Sequence, residues 1–204
     1  MKPPLPRLHA ITDERIARRA DLPEVARELA AGGGAAMAFH ARGHGLSGME
    51  HFDLATRLSA YPPTRLFVND RLDVALACRA AGVQLGAASL APADARRLDA
   101  RWWIGNSVHN LAEAEAARLA GADYLVLGPV FRTATHPERE PVEPGTLGAV
   151  VALGLPVIAI GGVTRGGVAG LKAAGVHGVA AIRALWDAVD PADAARRMVQ
   201  ELAE

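Results

Sequence analysis

Asp123-Tyr-Leu-Val-Leu-Gly-Pro-Val-Phe-Arg-Thr-Ala-Thr135 runs apolar until Gly128-Pro129 stops it, and two threonines spaced by one residue follow. Further on, Pro156-Val-Ile-Ala-Ile-Gly-Gly162 repeats the design: a buried strand that ends in paired glycines. Strand ends of this kind present backbone N–H groups and hydroxyls that can hold a phosphate. Two of them in succession point to a barrel that takes a phosphorylated small molecule.

Working outward, short apolar runs alternate with alanine-rich stretches of helical period. Strands are expected at 8–12, 35–40, 65–68, 82–85, 102–105, 124–127, 157–160 and 178–182. Helices are expected near 22–31, 49–58, 72–81, 92–98, 111–120, 147–153, 167–174 and 192–203. Ala31-Gly32, Ala81-Gly82, Ala120-Gly121 and Ala174-Gly175 read as helix C-termini closed by glycine. Asp21 and Asp190 read as N-caps, the second followed by Pro191 at the first helical position. Eight strand–helix units in 204 residues predict one (β/α)8 TIM barrel, a single domain over 1–204. An open dinucleotide-binding sheet would need Gly-x-Gly-x-x-Gly after the first strand, where Thr12-Asp-Glu-Arg15 stands instead.

Composition narrows the function classes. Twenty-two basic residues balance 22 acidic ones, so no global field favours nucleic acid or an anionic membrane. The single cysteine, Cys78, excludes an intrachain disulfide and reads as a buried, inert thiol in a reducing compartment. Residues 144–164 carry no charge, yet their glycines and Pro156 make them a short helix and a strand rather than a membrane span. The N-terminus lacks the apolar core of a signal peptide, and a cytoplasmic location is expected. Trp102 and Trp103 should face opposite sides of their strand, as period 2 requires.

In a barrel of this kind the site lies at the C-terminal strand ends. Those ends read Thr12-Asp13, His40-Ala-Arg42, Asn69-Asp70, Gly86, Ser107-Val-His109, Gly128 to His136, Gly161-Gly162 and Ile182-Arg183. Bland readings exist for several: Asn69 and Asp70 could cap the next helix, Thr133 and Thr135 could be plain loop residues, and Gly161 and Gly162 could only ease a turn.

Taken together, Val68-Asn-Asp-Arg-Leu-Asp73, Gly105-x-Ser-Val-His-Asn110, Ala122-Asp-Tyr124, Gly128-Pro-Val-Phe131, Thr133-x-Thr135 and Ala159-Ile-Gly-Gly162 resemble the thiamine phosphate synthase superfamily, which also holds the thiazole tautomerases. The resemblance runs from about Leu8 to Leu185. It implies a barrel whose last two strand ends, Gly161, Gly162, Ile182 and Arg183, bind the phosphate of a thiazole. It also implies that Asn69, Asp70, Ser107, Thr133 and Thr135 face the ligand.

The chain departs from the synthase pattern at defined places. Ala38-Phe-His-Ala-Arg42 stands where the synthases carry Gln-Leu-Arg-x-Lys, which grips a diphosphate. Ser89 replaces an acidic Mg²⁺ ligand, leaving Asp70, and His136 replaces a lysine. The tautomerase pattern has a histidine directly after the sixth-strand glycine, where this chain has Pro129. The losses sit on the metal side, so the leading expectation is a metal-independent thiazole tautomerase with no cofactor. His40 or His136 would shuttle its proton, because histidine titrates near neutrality. His44 and His109 are further candidates, while His9 and His177 read as too deep or too peripheral. The first alternative is a Mg²⁺-dependent synthase using Asn69, Asp70 and Arg42 to join a pyrimidine diphosphate to a thiazole phosphate. The second is a non-catalytic regulator that kept the phosphate cup. The expected partner is a phosphorylated thiazole, with no nucleic acid and no membrane; assembly into a homo-oligomer is left open.

Overall fold

Eight short strands carry the chain around a ring: β1 (Leu8–Ile11), β2 (Met37–Ala41), β3 (Arg65–Asn69), β4 (Gly82–Leu85), β5 (Trp103–Val108), β6 (Tyr124–Leu127), β7 (Val157–Ile160) and β8 (Gly178–Ala181). Each pairs in parallel with the next, and β8 returns to β1, closing the barrel. This computed structural model describes residues 2–133 and 139–203. The helices are α1 (Glu14–Ala17), α2 (Leu22–Gly33), α3 (Gly48–Leu58), α4 (Leu72–Ala77), α5 (Pro92–Leu98), α6 (Leu111–Leu119), α7 (Thr146–Val151), α8 (Arg165–Ala173), α9 (Arg183–Trp186) and α10 (Pro191–Ala203). The expected (β/α)8 architecture is the one that forms.

Strand period 2 divides the apolar residues into two cores. Leu8, Phe39, Val68, Val83, Leu125 and Val157 face outward into the layer shared with the helices. Ile11, Ala38, Phe67, Tyr124, Val126 and Ile158 fill the barrel itself. Both faces are covered, which is why most strands read as nearly continuous apolar runs. Large rings fit inside because a neighbouring strand supplies glycine. A Cβ on Gly82 would strike the Phe67 ring, and one on Gly105 would strike Tyr124. Trp102 joins the outer core and Trp103 packs toward the inner one, as period 2 predicts.

The N-terminal segment closes the barrel floor. Leu5 is buried in the inner core, Trp103 Nε1 donates to Pro3 O at 2.9 Å, and Arg7 donates to Leu202 O at 2.6 Å. Helix ends follow local chemistry. Ser47 and Glu50 form a reciprocal capping box at α3, and Asn110 accepts from Glu113 N at 2.9 Å to start α6. Asp190 accepts from Asp193 N at 2.8 Å as an N-cap, whereas the Asp21 side chain accepts from Arg19 and makes no capping bond to α2.

Several sequence expectations need correction. Gly121 and Gly175 follow their helices with φ of +89° each, but Ala81-Gly82 is no helix end. There α4 stops at Ala77, the left-handed residue is Arg79, and Gly82 opens β4. Helix α2 runs past Gly32 to Gly33. The four-residue helices α1 and α9 are too short to show a period. Cys78 is half-buried at the end of α4, its Sγ 3.7 Å from Thr56 Oγ1. Residues 144–164 fold as α7 and β7, and no helix among the described residues is long and apolar enough to cross a membrane.

Candidate functional site

A cavity of about 740 Å³ opens at the C-terminal ends of the strands. On one wall stand Arg42, His44, Asn69 and Asp70; on another, Gly161, Gly162, Ile182 and Arg183; Ser107 and Thr133 also line it. Thus seven of the sequence-predicted site residues besides the two glycines, Arg42, Asn69, Asp70, Ser107, Thr133, Ile182 and Arg183, reach one space, and His44 joins them. Thr135 and His136 lie outside the described residues.

The β3 end is specialised. Asp70 has φ of +62°, a left-handed conformation uncommon outside glycine. Its Oδ1 accepts from Gly86 N at 3.1 Å and from the Ser89 hydroxyl. The carboxylate is therefore turned toward the β4 end and does not cap α4, whose cap position is Arg71. Beside it, Thr12 ties β1 to β2: its hydroxyl accepts from Arg42 N at 2.9 Å. The Arg42 guanidinium donates to His44 Nε2 at 2.8 Å, so a basic pair rims this wall.

Between the walls, Gln84 Nε2 donates to Ser107 Oγ at 2.9 Å. An amide nitrogen can only donate, so the serine keeps its own hydrogen to give elsewhere. Gln84 Oε1 is buried with no protein partner among the described residues. Sequence reading passed over Gln84, although it is the one polar side chain in the run Gly82-Val-Gln-Leu85. His109 also lines the cavity. Its Nδ1–H donates to Glu113 Oε2 at 2.9 Å, and its Nε2 accepts from Arg139 at 3.1 Å.

The β7 end explains its glycines twice over. Gly161 and Gly162 have φ of +96° and +64°, which L side chains rarely adopt. A Cβ on Gly161 would come within 2.5 Å of Pro129 Cα, and one on Gly162 within 2.8 Å of Phe131 Cβ. The loop after β6 lies against them: Val130 N donates to Ile160 O at 2.8 Å and Phe131 N to Gly161 O at 3.0 Å. The paired glycines thus admit the neighbouring loop.

His40 does not stand at the mouth. It is fully buried and lies at the level of Phe67, two residues below Asn69, because the β2–β3 register pairs His40 with Phe67. Its Nε2 is 2.7 Å from His9 Nδ1, its Nδ1 is 3.1 Å from the Asn69 amide, and Phe67 stacks on its ring. Burial, with the Arg42 charge adding, lowers its pKa to about 4. Burial and then the His40 ring hold His9 well below the usual histidine range. His40 is not among the residues that line the cavity; its ring reaches that space only through Asn69.

Among the described residues, no three His, Cys, Asp or Glu side chains gather as a metal-binding group. Fold and mouth together define a single-barrel protein with a cavity walled by arginine side chains and glycine-rich strand ends. The sequence profile described as thiamine monophosphate synthase matches residues 8–185. The thiamine-phosphate synthase of Methanoregula boonei is 38% identical over 199 residues, covering 96% of this chain and 92% of that protein. The thiamine-phosphate synthase of Chloroflexus aurantiacus is 38% identical over 200 residues, covering 94% and 90%. A thiamine phosphate pyrophosphorylase from Pyrococcus furiosus superposes with a TM-score of 0.83 at 30% identity, covering 97% of this chain and 95% of that one. The chain belongs to the thiamine monophosphate synthase family.

Proposed function

We infer that the chain joins a pyrimidine diphosphate to a thiazole phosphate, the thiamine-phosphate synthase reaction. The thiazole nitrogen forms the new bond to the carbon bearing the diphosphate, and the carbon–oxygen bond to the diphosphate breaks. One observation carries the reading: a single cavity has anion-suited groups on opposite walls. Arg42 belongs to the β2 end, three strands around the ring of eight from β7, which Gly161 and Gly162 follow. Asp70, at the β3 end four strands from β7, suits a cation that would bridge to an anion. Two phosphorylated halves fit such a cavity with their reacting atoms meeting in the middle. The names of the relatives favour the same reaction.

A Mg²⁺ ion fits the β3 end. Mg²⁺ commonly uses one or two carboxylates and takes its remaining ligands from substrate phosphate and water. Asp70 supplies one carboxylate, and the Ser89 hydroxyl stands beside it. Held there, the ion would supply the charge that neutralises a departing diphosphate. The metal-independent tautomerase keeps less support, because the relatives carry the synthase name and His40 sits inside the barrel rather than lining the cavity.

The test is incubation with an aminopyrimidine diphosphate and thiazole phosphate, with and without Mg²⁺, followed by phosphorus NMR. Thiamine phosphate and inorganic diphosphate formed in equal amounts, and only with the metal, are expected. Binding of both ligands without product would replace this reading with the regulator. Proton exchange into a carboxythiazole phosphate without coupling would restore the tautomerase.

A further inference from the structure

A line of hydrogen bonds runs up the barrel axis from its floor to the cavity. His9 Nε2 lies 3.0 Å from Pro6 O, His9 Nδ1 lies 2.7 Å from His40 Nε2, and His40 Nδ1 lies 3.1 Å from the Asn69 amide. Both rings are fully buried. Their ring neighbours are Phe67 and Tyr124, and no carboxylate is among their hydrogen-bond partners in the described residues.

The direction of each bond follows from its fixed end. A carbonyl only accepts, so His9 Nε2 must carry hydrogen and donate to Pro6 O. In a neutral imidazole the other nitrogen then accepts, so His40 Nε2 donates to His9 Nδ1. That leaves His40 Nδ1 as an acceptor. The amide oxygen of Asn69 is drawn toward this nitrogen, which sets two acceptors face to face. The oxygen and nitrogen ends of an amide occupy nearly the same volume, so the hydrogen-bond network decides which end faces His40. Only Nδ2 can donate to it. The alternative, a cationic His40, would put a charge in an apolar barrel beside another imidazole and near Arg42.

We propose that His9 and His40 act as positioning residues that lock Asn69 with its amide oxygen toward the cavity, where it accepts a hydrogen from an amine-bearing heterocycle. The string itself follows from hydrogen-bond direction alone; the amine rests on the synthase reading, whose pyrimidine half can carry an exocyclic amine. Asn69 lines the cavity beside Asp70, so its exposed end bears on whichever ligand occupies that wall.

Two substitutions at His9, which does not line the cavity, separate positioning from packing. His9→Gln keeps a donor for Pro6 O and an acceptor for His40. His9→Leu removes the acceptor, lets His40 carry its hydrogen on Nδ1, and turns the Asn69 amide round. Nitrogen-15 NMR of the ligand-free protein near neutral pH should find both histidines with hydrogen on Nε2, and the Asn69 amide hydrogens against the His40 ring. Hydrogen on His40 Nδ1 in the unsubstituted protein would overturn the proposal. Calorimetry then compares 4-aminopyrimidine with 4-pyrimidinone, which exchanges the donor for an acceptor. The unsubstituted protein and His9→Gln should prefer the amine by about tenfold, the scale of one hydrogen bond against two opposed acceptors. His9→Leu should lose that preference. Equal preference in all three proteins, or binding of neither probe, would overturn the acceptor role. Neither arm reads turnover, so a failure of the synthase reaction would not be mistaken for a failure of the string.

Discussion

Acid should weaken this barrel from the inside, through its two core histidines. His40 titrates at about 4 in the folded chain, against 6.5 for an unperturbed histidine. Between those values the unfolded chain binds more protons than the folded one, so stability is lost as pH falls from about 6.5 and the loss levels off below about 4. Integrating the shift from near neutrality to about pH 4.5 gives about 2 kcal/mol for His40 alone. His9, also held below the usual range by burial and by His40, acts in the same direction. The measurement is urea unfolding at both pH values for the unsubstituted protein and for His9→Gln/His40→Gln, which keeps hydrogen-bonding side chains that do not titrate. His51 and His177, lowered chiefly by burial, are common to both proteins and cancel. The double variant should lose about 2 kcal/mol less across the interval. An identical loss in both proteins would show that the string does not stay neutral in the fold.

Other outcomes follow from the cavity walls. Asp70→Asn should cut Mg²⁺-dependent coupling by about a hundredfold, whereas Ser89→Asp, which adds a second carboxylate, should lower the Mg²⁺ concentration for half-maximal rate by about tenfold; a metal titration of initial rates checks both. Arg183→Ala should raise the KM for thiazole phosphate by about tenfold with kcat little changed, the pattern of a lost uniform binding contact. Gly162→Val should weaken phosphate binding and also lower stability by about 1–3 kcal/mol, because its Cβ would meet Phe131 and the Arg132 carbonyl. An unchanged melting temperature in that variant would contradict the close approach of the two loops.

The strands were legible because each apolar run is short and punctuated. The bounds of β4, β6 and β7 coincide with the expected ones, since glycine or proline sits at or near their ends. Helix α9 was hidden by its length, and α4 was overextended because Ala80-Ala81 continues its composition while Arg79 breaks its backbone. Strand parity correctly turns His40 inward, but parity says nothing about height along the barrel axis. Height depends on the stagger between β2 and β3, a long-range pairing that no local pattern records. Gln84 carried a readable signal, a lone amide in an apolar run, whereas its bond to Ser107 needed the β4–β5 neighbours in place.

The ring closes where β1 meets β8, strands drawn from opposite ends of the chain. During synthesis, the seam cannot form until the residues through Ala181 have left the ribosome, so β1 waits through most of translation with one edge unpaired. That delay leaves a parallel edge rich in apolar side chains open to pairing with a neighbouring nascent copy. Slower elongation over the last third of the message should therefore lower the yield of the folded chain rather than raise it, and a holdase that covers residues 8–11 should restore it.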